Sequence, residues 1–171
     1  MVSLSKSDFA IIGFLIRNFH KRFTIRDVAS NLKISAPGAH AALKKLEREE
    51  IVRAEKLGTG LFYEVAFEDA VARHVAAISL LSGKKQALGD LGKAARAAIF
   101  DGKTILAVTH DQNAVKDAVF KQNSQVSVIC KGEDEFKAAL RSKDAQVLGI
   151  LKNSQVLFGE EMIIEAIRQA K

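Results

Sequence analysis

The chain is 171 residues long, with formal net charge +6, 48% hydrophobic and 27% charged residues, one Pro and one Cys. It is too apolar for a disordered protein, and a lone cysteine excludes an internal disulfide scaffold and fits a reducing cytoplasm. No apolar run approaches ~18 residues, so no membrane-spanning helix is expected. Met1 to Asp8 lacks the layout of a signal peptide. Residues 1–82 hold 12 Lys/Arg against 9 Asp/Glu and residues 83–171 hold 14 against 11, so each half carries +3. A polyanionic partner and an ordinary basic surface both fit that spread.

Ser5-Lys6-Ser7-Asp8 reads as a capping box, and Phe9, Ile12, Ile16 and Phe19 recur at helical spacing, fading near Asn18 to His20. Thr24-Ile25-Arg26-Asp27 is a second capping box. It opens a short helix with Ile25, Val28, Ala29 and Leu32 inward, and Leu32-Lys33-Ile34 is the turn. Ser35 caps a third helix, with Pro37 in its first turn and Ala39, Leu43 and Leu46 inward. Two β-rich runs, Ile51 to Lys56 and Leu61 to Val65, flank Leu57-Gly58-Thr59-Gly60 and predict a hairpin. The hairpin is needed to cover the open face of three helices. From Asp69 to Leu81 a further helix is expected, with Val71, Val75, Ile78 and Leu81 on one face.

The ordered set of Phe23 to Ala29, Ile34-Ser35-Ala36-Pro37, Leu43 to Glu47, and Ile51-Val52-Arg53 through Gly58 to Tyr63 resembles the winged helix-turn-helix domains of prokaryotic transcription regulators. The resemblance spans about residues 5–67. It implies DNA binding, with residues 35–49 as recognition helix in the major groove and the wing on the phosphate backbone. A winged helix used only for protein contacts is the alternative. Outward from that helix stand Ala36, Pro37, Gly38, His40, Ala41, Lys44 and Lys45, after Ser35 at the cap. Base edges are best read by Arg, Asn and Gln, and none lies between Ser35 and Leu46. Ala41 replaces the longer polar residue frequent in that family. Glu50 stands where the family usually has glycine, so an altered or strained helix exit is expected. Binding is therefore expected to rest on phosphates, with modest sequence preference. The candidates are Lys44, Lys45, Arg53, Lys56, the amides of Gly58, Thr59 and Gly60, and Thr24 with Arg26 at the start of the second helix.

In the second half, Ser82-Gly83-Lys84-Lys85 reads as a linker. A helix is predicted over 86–99 with Leu88, Leu91, Ala95 and Ile99 in register, then a turn at Asp101-Gly102. Lys103 to Thr109 reads as a buried strand, Asn113 to Gln122 as a helix, and Gln125 to Cys130 as a strand. Glu133 to Ser142 and Asp144 to Leu151 read as helices, Val156 to Phe158 as a short strand, and Glu160 to Ala170 as a closing helix. Such alternation predicts a small α/β sheet.

Val126-Ser127-Val128, Glu135-Phe136 and the run Gly149 to Glu161 resemble the end of the small prokaryotic nucleotidyltransferase domains, which are often joined to a winged helix in archaeal regulators. Phe62 to Asp69 is similar to their junction. That family needs a Gly-Ser turn and two aspartates one residue apart, which hold magnesium. The corresponding strand here reads Thr104-Ile105-Leu106-Ala107-Val108-Thr109, and Asp101 and Asp111 only flank it. The resemblance therefore implies a shortened, inactive relative. No P-loop, GxGxxG, HExxH or paired-Cys zinc motif occurs. Cys130 reads as a small buried hydrophobe. Thr109-His110-Asp111-Gln112, at a strand's C-terminal end, is either an ordinary polar loop or a ligand position.

The expectation is an α+β protein, with a winged helix-turn-helix in residues 1–82, including a flanking helix, and a small α/β domain resembling a shortened nucleotidyltransferase fold in 83–171. Its function would be non-enzymatic, cytoplasmic regulation of transcription on double-stranded DNA, without cofactor or metal. A homodimer would form through the flanking helix or the first helix, in an N-terminal region rich in large apolar anchors (Phe9, Phe14, Phe19, Phe23), although an intramolecular core explains the same stripe equally well; the α/β domain would dimerise or sense a partner, and no effector is identified. The rival expectations are a nucleotide-binding protein with a winged-helix targeting arm and a protein-interaction scaffold.

Overall fold

The computed structural model describes residues 3–81, 90–122 and 125–171. The chain forms two compact units, Met1–Ser79 and Leu80–Lys171. The proposed linker at 82–85 lies outside the described residues.

The first unit contains α1 (Lys6–Arg17), α2 (Ile25–Leu32), α3 (Ala36–Arg48), β1 (Val52–Leu57), β2 (Gly60–Val65) and α4 (Ala70–Leu80). Capping boxes open α1 at Ser5/Asp8 and α2 at Thr24/Asp27. Ser35 Oγ accepts from Gly38 N–H at 3.1 Å to open α3, with Pro37 in the first turn. Ile11, Ile12, Ile16, Val28, Ala39, Leu43, Leu46 and Ile51 are all fully buried and form the three-helix core. β1 and β2 pair antiparallel from Val52↔Val65 to Leu57↔Gly60. Tyr63 N–H also donates to Phe23 C=O at 2.9 Å, which ties the hairpin to the chain before α2. The wing thus closes the helical layer through the buried Val52, Tyr63 and Val65.

The exit of α3 follows the expectation drawn from Glu50. Its φ is +58°, with Glu50 N–H bonded to Glu47 C=O and Ile51 N–H to Leu46 C=O. This is a Schellman turn with glutamate at the left-handed position. In α4, Val71 and Ile78 of the predicted apolar face are exposed. The small residues Ala72, Ala76 and Ser79 are buried instead. A Cβ added at Gly13 of α1 would meet the flexible Arg17 guanidinium at 2.7 Å and the Ser79 carbonyl oxygen at an ordinary 3.5 Å.

The second unit contains α5 (Leu91–Ala94), β3 (Ala97–Phe100), β4 (Thr104–Val108), α6 (Gln112–Gln122), β5 (Ser127–Lys131), α7 (Glu133–Arg141), α8 (Ala145–Asn153), β6 (Gln155–Phe158) and α9 (Glu160–Ala170). The sheet order is β5-β4-β3-β6, with β4 and β5 parallel and the other two pairs antiparallel. One face carries Ala98, Ile105 and Ala107 under α5 and α6. Against β3 and β4 also pack α8 and α9, which bring the buried Leu151, Ile163 and Ile167.

The helix predicted over 86–99 requires correction. Residues 86–89 lie outside the described residues, α5 ends at Ala94, and Ala97 to Phe100 is a strand. Alanine-rich sequence favours helix locally. Here pairing with both β4 and β6 overrides that preference, and Asp101-Gly102 turns a β-hairpin.

Candidate nucleic-acid interface

The recognition-helix positions are arranged by the cap and the core stripe of α3. With Ala39, Leu43 and Leu46 at zero exposure, helical periodicity turns Ala36, Pro37, Gly38, His40, Ala41 and Lys44 outward, and all six are exposed. Ser35 is exposed too, its hydroxyl committed to the cap. The surface is low and nearly neutral, and His40 is the one ring donor or acceptor on it.

The start of α2 is less open to phosphate than its position implies. Thr24 N–H and Oγ1 both bond Asp27 Oδ2 at 2.8 Å, and Asp27 N–H returns to Thr24 Oγ1. A carboxylate therefore occupies the end that an anion would seek. Arg26, exposed in the same turn, has no ion pair among the described residues.

The lysines of α3 divide into two kinds. Lys44 is exposed and bonds Glu47 Oε2 at 2.8 Å within the helix, which holds its ammonium above the ordinary lysine range. Lys45 reaches back to α1 and bonds Asp8 Oδ2 at 2.6 Å, where the Asp8 side chain is only 2% exposed. That carboxylate also accepts from Ser5 N–H at 2.7 Å. Burial pushes the Asp8 carboxyl up, but Lys45 and the Ser5 bonds outweigh it and hold the group below its ordinary value. Lys45 is thus engaged as a brace between α3 and α1, while Lys44 is held only by an exposed partner.

On the wing, Arg53 pairs with its cross-strand neighbour Glu64, and Arg22 pairs with Glu55 at 3.0 Å. Lys56 is exposed and has no ion pair among the described residues. Gly58 has φ +57° with nothing near its missing Cβ, so backbone conformation selects glycine in the turn. Gly58 and Thr59 are exposed and Gly60 is half-buried. Leu57 and Leu61 flank the tip at 38% and 37% exposure. Beneath the wing, burial raises the Tyr63 phenol, and the charges of Lys44 and Glu47 are close enough to act on it. Its hydroxyl has no hydrogen-bond partner among the described residues.

Sequence reasoning placed these cations but missed the acids that hold them: Asp8, Glu47, Glu55 and Glu64. The spacing of Lys44 and Glu47, three residues apart on a helix, was a usable signal. Lys45 and Asp8 are 37 positions apart, and only the packing of α1 on α3 joins them.

In the second unit, Asp101 Oδ1 accepts from Lys103 N–H and Thr104 N–H, at 2.9 and 2.7 Å, and these bonds lower its carboxyl. Asp111 Oδ1 caps α6 by accepting from Ala114 N–H at 3.0 Å. Thr109 Oγ1 donates to Ala94 C=O at 2.7 Å, which anchors the loop after β4, and His110 is exposed. Cys130 is half-buried rather than buried, and burial pushes its thiol up. No group of three or more His, Cys, Asp or Glu among the described residues is placed to hold a metal ion. No helix among them is long and apolar enough to cross a membrane.

Three capped helices, a turn of left-handed Lys33 and a two-stranded wing define a winged helix-turn-helix. Residues 4–53 match the family model described as winged helix-turn-helix DNA-binding. The match covers the three helices and the start of the wing. No curated protein and no solved structure matches the chain.

Proposed function

We propose that the protein is a homodimeric, cytoplasmic regulator of transcription that binds double-stranded DNA through α3 and the wing, mainly by phosphate contacts. The observation that carries this reading is the outward face of α3: exposed, built largely of small residues that permit close approach beside His40 and Lys44, and lacking Arg, Asn or Gln between Ser35 and Leu46, with Arg48 exposed only at its last position. Phosphates would be met by Lys44, Arg53, Lys56, Arg26 and the amides at Gly58 to Gly60. Exposed ion pairs are worth about 0–1 kcal/mol, so a phosphate displaces Glu47 from Lys44 or Glu64 from Arg53 at little cost. His40 supplies what base reading there is.

The second unit is proposed to be non-catalytic and to serve dimerisation or sensing, without cofactor or metal. Its resemblance to nucleotidyltransferases is read as descent without activity. The strand Thr104–Val108 has no carboxylate, and Asp101 and Asp111 are spent on a turn and a helix cap.

Gel shifts with genomic fragments, the protein's own promoter among them, test the reading. A fragment retained against random competitor is the expected result. His40→Ala should narrow the gap between that fragment and random DNA by about 1–3 kcal/mol if its base contact is a good one. Arg53→Ala should weaken both about equally. A fold-competent His40→Ala that leaves the ratio unchanged, beside a wing variant that collapses it, would move sequence reading to the wing.

A further inference from the structure

Among the described residues β5 is an edge strand, next to β4 in the order β5-β4-β3-β6. Its ladder runs from Ser127 N–H donating to Lys103 C=O at 3.0 Å to Thr109 N–H donating to Lys131 C=O at 2.9 Å. In a parallel ladder, alternate residues turn both main-chain groups to one neighbour. Ser127, Ile129 and Lys131 therefore face β4, and Val128 and Cys130 present their N–H and C=O groups to the open side. Those four groups have no hydrogen-bond partner among the described residues. Among the described residues the edge carries few guards: the strand Ser127–Lys131 contains no Pro and no bulge, and its one charge is the terminal Lys131. Val128, Ile129 and Cys130 are all half-exposed, whereas Ile105, Leu106 and Ala107 opposite them are buried.

We propose that a second copy of this chain pairs its β5 antiparallel with this one, about a two-fold axis at Ile129, joining two four-stranded sheets into one. The outward groups select this occupant because they are self-complementary. Hydrogen-bonded positions in an antiparallel pair exchange both bonds, so Val128 meets Cys130 of the second copy and Cys130 meets its Val128. All four outward groups are then satisfied. Ser127 falls opposite Lys131 of the second copy, so no like charges meet.

A second observation lies on α6, which covers the face bearing Val128 and Cys130. Phe120 of α6 is 72% exposed, the highest among the exposed large hydrophobic residues. Lys116 lies one turn earlier on the same side of that helix. α6 packs on β5, with Val128 and Cys130 against its Val115, Ala118 and Val119. The two-fold axis brings the α6 helices of both copies side by side at that edge and covers Phe120. The inference rests on the homodimer of the proposed function and gives it a surface.

The test measures the mass of the full chain by light scattering behind size exclusion, with circular dichroism on every variant. Val128→Pro removes an amide that the ladder to β4 does not use, at an edge position where proline is tolerated. Ile129→Cys sets a thiol opposite its own counterpart across the two-fold axis, at a non-hydrogen-bonded pair with Cα atoms ~4.5 Å apart, within disulfide reach once a mild oxidant is added. A dimeric parent, a monomeric Val128→Pro of unchanged dichroism, and an oxidised covalent dimer of Ile129→Cys that persists when Cys130→Ser is added are the expected results. If Val128→Pro unfolds, the cross-link alone decides. A folded Val128→Pro that stays dimeric, or a dimeric Ile129→Cys that fails to cross-link under the oxidant, overturns the edge pairing. If Val71→Asp then gives monomers, the contact is on α4 and the homodimer stands. A monomeric parent overturns both the edge and the homodimer, while DNA binding, read separately by gel shift, is left intact.

Discussion

Lys44 and Lys45 are adjacent in sequence, yet their positions on α3 give them different work. Lys45 compensates a buried carboxylate that also caps α1. Its removal leaves Asp8 desolvated and unpaired, a loss of about 1–3 kcal/mol after discounting for a lysine that is one-third exposed. Lys45→Ala should therefore lower the urea midpoint while leaving the salt dependence of DNA binding unchanged. Lys44→Ala should leave stability alone and make the salt slope shallower by about one phosphate. The opposite pattern would reverse these roles. The Asp8 carboxyl also predicts an acid limb. Its folded pKa is depressed, so its contribution is fully present above the ordinary aspartate range, about pH 4, and is lost as pH falls through the lower folded value. Chemical denaturation at stepped pH should show that limb in the parent and a weaker one in Asp8→Asn.

Three helices end at left-handed residues that are not glycine: Lys33, Glu50 and Lys143. A non-glycine side chain in that region costs roughly 1 kcal/mol or more. Glu50→Gly should raise stability by about 1 kcal/mol, measured by urea unfolding, because φ +58° suits glycine and the Schellman bonds are main-chain. Unchanged or reduced stability would mean that the Glu50 side chain contributes more than its backbone strain costs.

Elements whose signals are local were legible in the sequence. The capping boxes at Ser5 and Thr24, the stripe Ala39/Leu43/Leu46, the Gly58 turn and the strand at 104–108 all stand where spacing put them. The segment from Ala95 to Phe100 was not legible, because its conformation is fixed by two strands distant in sequence, not by its own propensity. The orientation of α4 failed for a related reason. Its larger side chains Val71 and Ile78 formed the obvious stripe, but the packed side of α4 carries Ala72, Ala76, Ser79 and Leu80. In the candidate interface, exposure of α3 followed from periodicity. The carboxylates that hold its cations came only from tertiary packing.

Across the whole chain, two compact units divide the labour proposed here, one meeting DNA and the other pairing copies. The net charge of +6 is spread over both halves, so no overall field marks the DNA face. On the proposed face, Arg26, Arg48 and Lys56, with no ion pair among the described residues, and cations released from exposed carboxylates would supply the attraction locally. A binding mode of this kind loses affinity as counterions are returned, with log K linear in log salt at a slope of about −0.9 per neutralised phosphate. Fluorescence anisotropy of the full chain on a labelled duplex, titrated from low to physiological salt, measures this most directly. The predicted result is tight binding at low salt and a linear fall whose slope shrinks in Lys44→Ala and Arg53→Ala. No binding at low salt, or an affinity indifferent to salt, would contradict DNA recognition through this face.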